Sequence, residues 1–372
     1  MSVTLHHGVF DSPMRFKFKH ASAQRSATQN VIVRLTDENR TTGYGEGCPR
    51  AYVTGETAST VATFMREYGS TIVNKASDLQ HLKHWINSNA KLIDSNPAAF
   101  AAIEIAIIDL MAKRNQMSAE ALLNLPKLSE NVPFTAVIGD CSVSKMRLIT
   151  TAYRLYGFND FKVKLSGDLS KDQDRLSAIP KIYRVRVDAN NLWPTPDLCI
   201  DYFRQLHCAI WAIEEPVKAF DYPAMMKIAN ALDTKIIVDE SLYTTNHLHL
   251  LKNPERFVAN IRVSKCGGIL RSIELANQCI QSNCDVILGA HVGETSLLTR
   301  AALVVGQGLK APSIAREGAY GKILLKRDIT SKDIKFSRGG ILRPANYRLA
   351  SKSGLGLLVN PDEISWAERT TY

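Results

Sequence analysis

FKVKLSGDLSKDQDRLSAIPKIYRVRVDANN, residues 161–191, reads as strand, helix and strand, and each strand ends on a reactive side chain. Lys164 closes the first and Asp188 the second. The pattern continues: Glu214 follows WAI, Asp239 follows KIIV, Arg262 follows VANI and His291 follows VILGA. From Lys164 onward the intervals are 24, 26, 25, 23 and 29 residues. A strand, a helix and two short loops take up roughly 30 residues in an eight-stranded α/β barrel of about 250 residues. Six consecutive strands therefore each deliver one reactive group to the same carboxyl-terminal rim, which marks an active site.

Outward from this ladder the alternation begins at FTAVIG (134–139), after the turn-prone LPKLSENVP, and ends near Ser313–Ala315. Eight strands with intervening helices fit a barrel better than an open sheet. The first part of the chain has another character. VTLHHGVF, RFKFKHAS and NVIVRLTDE alternate apolar and polar residues and are bounded by polar turns, as in an antiparallel sheet. Helical stretches follow at 57–73 and 77–89. AAFAAIEIAIIDLMAKRN is apolar on nearly every face, so a buried helix is expected there, entered at Ser95-Asn96-Pro97.

The 372 residues suit a large barrel with a smaller partner domain. The division expected is 1–130 for an α+β cap, 131–345 for the barrel and 346–372 for a segment returning to the cap. No apolar run approaches the roughly 20 residues of a membrane span, and the amino terminus has no signal-peptide pattern. Seven cysteines without a CxxC pair read as reduced thiols in a cytoplasmic protein. The net charge of +10 is dispersed, with no run of five basic residues, so it argues for a basic surface rather than nucleic-acid binding.

Asp188, Glu214 and Asp239 place three carboxylates on successive strands. Hard oxygen ligands of this kind suit Mg²⁺. A single aspartate there would more often cap the following helix, but three in register, facing two lysines, favour a metal site. Lys162 and Lys164 lie two residues apart and so share a strand face. In a barrel that face is the interior, with Phe161, Val163 and Leu165 packed against helices. Two ammonium groups crowded beside a dication are expected to have depressed pKa values, so that one accepts a proton near neutrality.

The order KVK, VDANNLW, IEEP, VDES and KCGGI resembles the enolase superfamily, in its muconate-lactonising and dipeptide-epimerase-like branch. GYGEGCPRAYVTGET resembles the cap loop that closes over substrate, and AAIEIAIIDLMAK the helix joining cap to barrel. The resemblance covers most of the chain and implies a modified TIM barrel, (β/α)7β, with an α+β capping domain. It implies a Mg²⁺-dependent isomerase of the epimerase or cycloisomerase type. The metal binds a substrate carboxylate, a base removes the α-proton and an enediolate forms. By motif position Asp188, Glu214 and Asp239 are the metal ligands, Lys164 the base and Lys162 its carboxylate-contacting neighbour. Asn190, Glu240 and Lys265 are expected to support them. A small-molecule carboxylate is the implied partner, and members of this family often assemble as homo-oligomers.

The chain departs from the family pattern in three places. Strand six normally ends in lysine where Arg262 stands, and a guanidinium is a poor base although it can clamp a carboxylate. Lys265, three residues on, should face the other way on a strand and act only in support. Strand seven offers His291 at a position where mandelate-racemase-like members carry a histidine base. It either shares proton transfer or only hydrogen-bonds in the rim. On strand eight SIAREGAYG replaces the Asp-x-Asp of dipeptide epimerases, so Arg316 and Glu317 point toward an acidic or polar substrate. Arg50 and Tyr52 in the cap loop are further substrate-binding candidates, and Lys17 and Lys19 could also meet an anion. A lyase of the same superfamily, or a non-catalytic metal-binding member, are the alternative readings.

Overall fold

The computed structural model describes residues 3–20 and 23–367, and the side chains of residues 16–25, Lys17 and Lys19 among them, and of Ala350 lie outside that description. Strands β1 (Val3–His20), β2 (Ala23–Asp37) and β3 (Thr42–Gly47) form the antiparallel sheet of the cap. The two amino-terminal strands expected from the alternation are one long strand, β1. Helices α1 (Ala58–Lys75) and α3 (Pro97–Arg114) pack on this sheet, and α2 (Leu79–Ser88) packs against α1. Helix α3 is buried along nearly its whole length. Its alanines meet Gly43, Gly45 and Gly47 of β3, where a Cβ would run into the carbonyl oxygens of Ala106, Ala102 and Ala98. The glycines let β3 lie directly on the helix. Pro97 opens α3 as the sequence suggests, but the cap is Glu56, whose oxygens accept Ala98 N and Ala99 N at 2.9 Å each.

The barrel strands are β4 (Ala136–Ile138), β5 (Asp160–Lys164), β6 (Arg184–Asp188), β7 (Ala212–Glu214), β8 (Lys235–Val238), β9 (Phe257–Ile261), β10 (Asp285–Leu288) and β11 (Ala315–Arg316). They pair in sequence order, all parallel. Thr135 N donates to Arg316 O at 2.7 Å, which ties the last strand to the first. Helices α4 (Val143–Tyr156), α5 (Leu169–Ser177), α6 (Pro196–Gln205), α7 (Tyr222–Leu232), α8 (Ile269–Gln281) and α9 (Ser296–Gln307) fill most crossovers, and a short helix, Thr245–Leu248, follows β8. No long helix follows β11 among the described residues, which gives the (β/α)7β form.

Side-chain alternation sorts the strands. Ala212, Ile237, Val258 and Ile287 make a small cluster on the barrel floor, with Ala315 packed against it. Two residues further along the same faces come Glu214, Asp239, Asn260 and Gly289. The outward faces join the large core with the helices and the cap. Strand β12 (Ser365–Trp366) leaves the barrel region and pairs with β1 at Gly8 and Val9.

Candidate active site

Register brings the charged strand ends together. Lys164 on β5 is level with Asp188 on β6, and Asp188 with Glu214 on β7. Both lysines point into the barrel and are buried, while Phe161 packs outward against Tyr153 and Tyr183. Lys162 Nζ lies 2.7 Å from Glu214 Oε2, 3.2 Å from Asp188 Oδ2 and 3.3 Å from Glu317 Oε1. Lys164 Nζ donates to Asp188 Oδ2 at 3.0 Å and to Asn190 Oδ1 at 2.6 Å. Asn190 adopts a left-handed φ of 47° in the turn after β6. Arg262 pairs with Asp239 and reaches within 4.0 Å of Glu214 Oε1.

Among the protein's own charges the pKa of Lys162 is raised rather than lowered. Burial alone would lower it, but Asp188, Glu214 and Glu317 outweigh burial and raise it above the ordinary lysine range. The lysine that burial does lower, to about 8, is Lys265. Its Nζ donates to Asp239 Oδ1 and Asn260 O, each at 2.8 Å. The facing rule applied to Lys265 fails because the strand has ended. Residues 263–267 form a turn that carries its side chain back to Asp239.

Among the described residues no three His, Cys, Asp or Glu side chains are preassembled around a metal-sized point. Asp188, Glu214 and Asp239 instead face Lys162, Lys164, Arg262 and Lys265. The donor chemistry nonetheless fits a hard dication. Buried Glu240 has neither oxygen hydrogen-bonded, and burial together with Glu215 and Asp188 pushes it up to about 8. Burial likewise raises Glu214, and it raises Glu215 to about 7. Such a surplus of buried, crowded carboxylates is what a divalent cation relieves.

The His291 side is built differently. Three cap residues grip the loop that follows this buried histidine. Arg50 Nη2 donates to Val292 O at 3.2 Å and Asn30 Nδ2 to Gly293 O at 2.8 Å. Glu46 accepts Thr295 N at 2.9 Å, Thr295 Oγ1 at 2.6 Å and Leu298 N at 3.1 Å. Arg50 is thus a buried joint between cap and barrel rather than a substrate contact, bonding also to Asn30 Oδ1 and Gln29 O. Tyr52 sits half-buried on the short helix Ala51–Thr54.

The two strand-eight candidates, Arg316 and Glu317, face opposite sides of the strand. Arg316 alternates with the inward Ala315 and Glu317, and so faces out of the barrel. Glu317 does point inward, but Arg186 Nη2 donates to it at 2.8 Å and Lys162 lies close by. Burial opposes its ionisation, yet these two cations hold the carboxyl at about 2. Arg186, Asn260 and Gly289 escaped the sequence reading, although each shares the parity of a residue it singled out. Asn260 Nδ2 donates to Glu214 Oε1 at 3.1 Å, and a Cβ on Gly289 would collide with Asn260 Oδ1.

Beside His291 and Glu317 opens a cavity of about 510 Å³, roofed by α4 and bounded by residues 318–324. Its size is that of a small-molecule site. His291 and Glu317 thus stand at the inner edge of a partly open space.

Comparison with known proteins places this geometry. Residues 146–363 match the family model described as enolase C-terminal domain-like, and residues 5–124 that of the mandelate racemase / muconate lactonizing enzyme N-terminal domain. The N-succinyl-L-Arg/Lys racemase of Bacillus cereus is 27% identical over 361 residues, which span 95% of this chain and 94% of that one. A crystal structure of N-succinyl Arg/Lys racemase from Bacillus cereus superposes with a TM-score of 0.84 at 25% identity, covering 98% and 97% of the two chains. A dipeptide epimerase from Enterococcus faecalis, solved with Mg and the dipeptide L-Leu-L-Tyr, shares the fold at a TM-score of 0.80 and 23% identity, covering 96% and 99%.

Proposed function

The chain belongs to the mandelate racemase / muconate lactonizing enzyme family and is an enzyme of the isomerase type, and on that premise we propose that it epimerises the carbon beside a carboxylate. The substrate class is an N-acylated amino acid, dipeptides included, in keeping with the compounds for which its relatives are named. The observation that carries the reading is Lys164. It is a buried lysine inside the barrel rim, held by Asp188 and Asn190.

Asp188, Glu214 and Asp239 would hold Mg²⁺, which when bound would supply positive charge to the substrate carboxylate as negative charge builds on its oxygens. Lys164 takes the proton. Lys162, pinned among three carboxylates, stays charged and adds to the field around the same oxygens. Arg262 cannot act as a base, and its planar fork suits a carboxylate clamp. His291, in the loop after β10 and so away from β5, returns or removes the proton on the other face of the carbon. A proton lost to one residue and regained from the other inverts the centre.

The test is deuterium uptake in D₂O with Mg²⁺ across N-acyl amino acids and dipeptides. The native protein should exchange the α-proton, EDTA should stop it, and Lys164→Ala should slow it by about 10²–10⁴-fold. Undiminished exchange of both stereoisomers in the Lys164→Ala protein would sink the assignment. His291→Ala should abolish interconversion of stereoisomers while exchange of one isomer's proton persists.

A further inference from the structure

The cavity beside the catalytic rim is lined mainly by apolar groups. Its walls are Val137 and the α4 residues Ile149 and Ala152 on one side, with Ala290, Ile323 and Leu324 opposite. The polar groups that touch it are already engaged. Asp140 pairs with Lys171 at 2.7 Å, and Glu317 with Arg186 and Lys162. Glu294 accepts His291 N at 3.1 Å. The hydroxyls of Tyr153 and Tyr320 lie 3.4 Å apart, and Tyr320 accepts Val137 N at 3.0 Å. Lys145 stands exposed at the rim rather than in the interior.

A charged substituent placed here would lose its hydration without gaining a partner, whereas an aliphatic or aromatic one would exchange water for apolar wall. The space is also too large for a hydrogen or a methyl group to fill. We propose that this cavity is the specificity pocket of the enzyme and takes a bulky apolar substituent carried by the reacting carbon or by its acyl nitrogen. The inference rests on the proposed function for the identity of that carbon, but not for the chemistry of the pocket. Continuity fixes the orientation. Glu317 lines the cavity and touches Lys162, which touches Asp188 and Glu214, so a ligand filling the cavity abuts the catalytic rim.

The experiment is calorimetric binding to the native protein, with Mg²⁺ and again with EDTA, using two matched series. One varies the acyl group on L-alanine (leucyl, phenylalanyl, lysyl, glutamyl). The other varies the side chain of an N-acetyl amino acid (leucine, phenylalanine, lysine, glutamate). In at least one series the apolar members should bind tenfold or more tightly than the lysine and glutamate members. Ala152→Glu, at an exposed helix position, should erase that preference and favour the lysine member. Equal or tighter binding of the charged members overturns the proposal, as does an absence of binding by every apolar member. Apolar ligands that bind without α-proton exchange leave the pocket standing and remove the proton-transfer reading instead.

Discussion

The two sides of the barrel mouth are built from opposite materials. Strands β5 to β9 present Lys162, Lys164, Asp188, Glu214, Asp239 and Arg262, cross-paired with one another and, apart from the half-buried Arg262, buried. Strands β10, β11 and β4 present His291, Glu317 and then an apolar cavity. The first side engages its polar groups with one another and with the metal they would hold, so on the proposed reading it meets only the carboxylate that all substrates share. The second side is where substrates differ. On the proposed reading the metal ligands and the first base stand on one arc, and the second base, His291, shares the other arc with the apolar cavity.

This division can be broken most severely on the charged side. Lys162→Ala would leave Asp188, Glu214 and Glu317 facing one another without their common cation. Removing one partner of a buried ion pair costs about 3–5 kcal/mol. A large drop in Tm is therefore expected without Mg²⁺, partly recovered when Mg²⁺ is added because a dication would offset the same carboxylates. Ala152→Leu, on the apolar side, should change Tm by little and act on substrate preference alone. A thermal scan of both proteins with and without Mg²⁺ checks the contrast. Equal losses, or no Mg²⁺ recovery, would mean that the two arcs are not energetically distinct.

A smaller effect sharpens the comparison at the cap. Glu46→Gln keeps the shape but weakens the grip on Thr295 and Leu298, at a cost of about 1–3 kcal/mol for the hydrogen bonds of a buried group. If the cap positions His291, interconversion of stereoisomers should fall several-fold further than exchange through Lys164. A variant that merely unfolded more readily would lower both alike.

Much of the charged arc was legible in the sequence because strand ends recur at near-constant spacing and alternation fixes which side chains point inward. Lys162, Lys164, Asp188, Glu214 and Asp239 all lie where period-two counting puts them. The same counting would have found Arg186, Asn260 and Gly289, had it been carried one step toward the floor from Asp188, Arg262 and His291. Lys265 was misread because counting assumes an unbroken strand, and a turn intervenes. The apolar arc was not legible. Its walls come from α4, from β4 and from the loop after β11, and nothing in their spacing says that they enclose one space. Arg50 shows the same limit. A cationic residue in a cap loop looks like a substrate ligand until its donors are seen to reach Asn30 and Val292.

The weakest expected effect separates two causes acting on one residue. Glu104 of α3 lies buried at the start of α8, accepting Ile269 N at 2.9 Å and Leu270 N at 2.8 Å, and so ties the cap to the helix after β9. Burial pushes its carboxyl from an ordinary 4.5 up to about 7, against those two donors, which pull it down. A folded-state value above the unfolded one gives a contribution fully present below about pH 4.5 and lost as pH rises through about 7. The Tm of the native protein should therefore decline relative to that of Glu104→Gln, which does not titrate, across that window. The opposite slope would mean that the helix N-terminus outweighs burial and holds the carboxylate ionised. In that case the cap would grip the charged arc through Glu104 by charge, a stronger link than burial of a neutral acid provides.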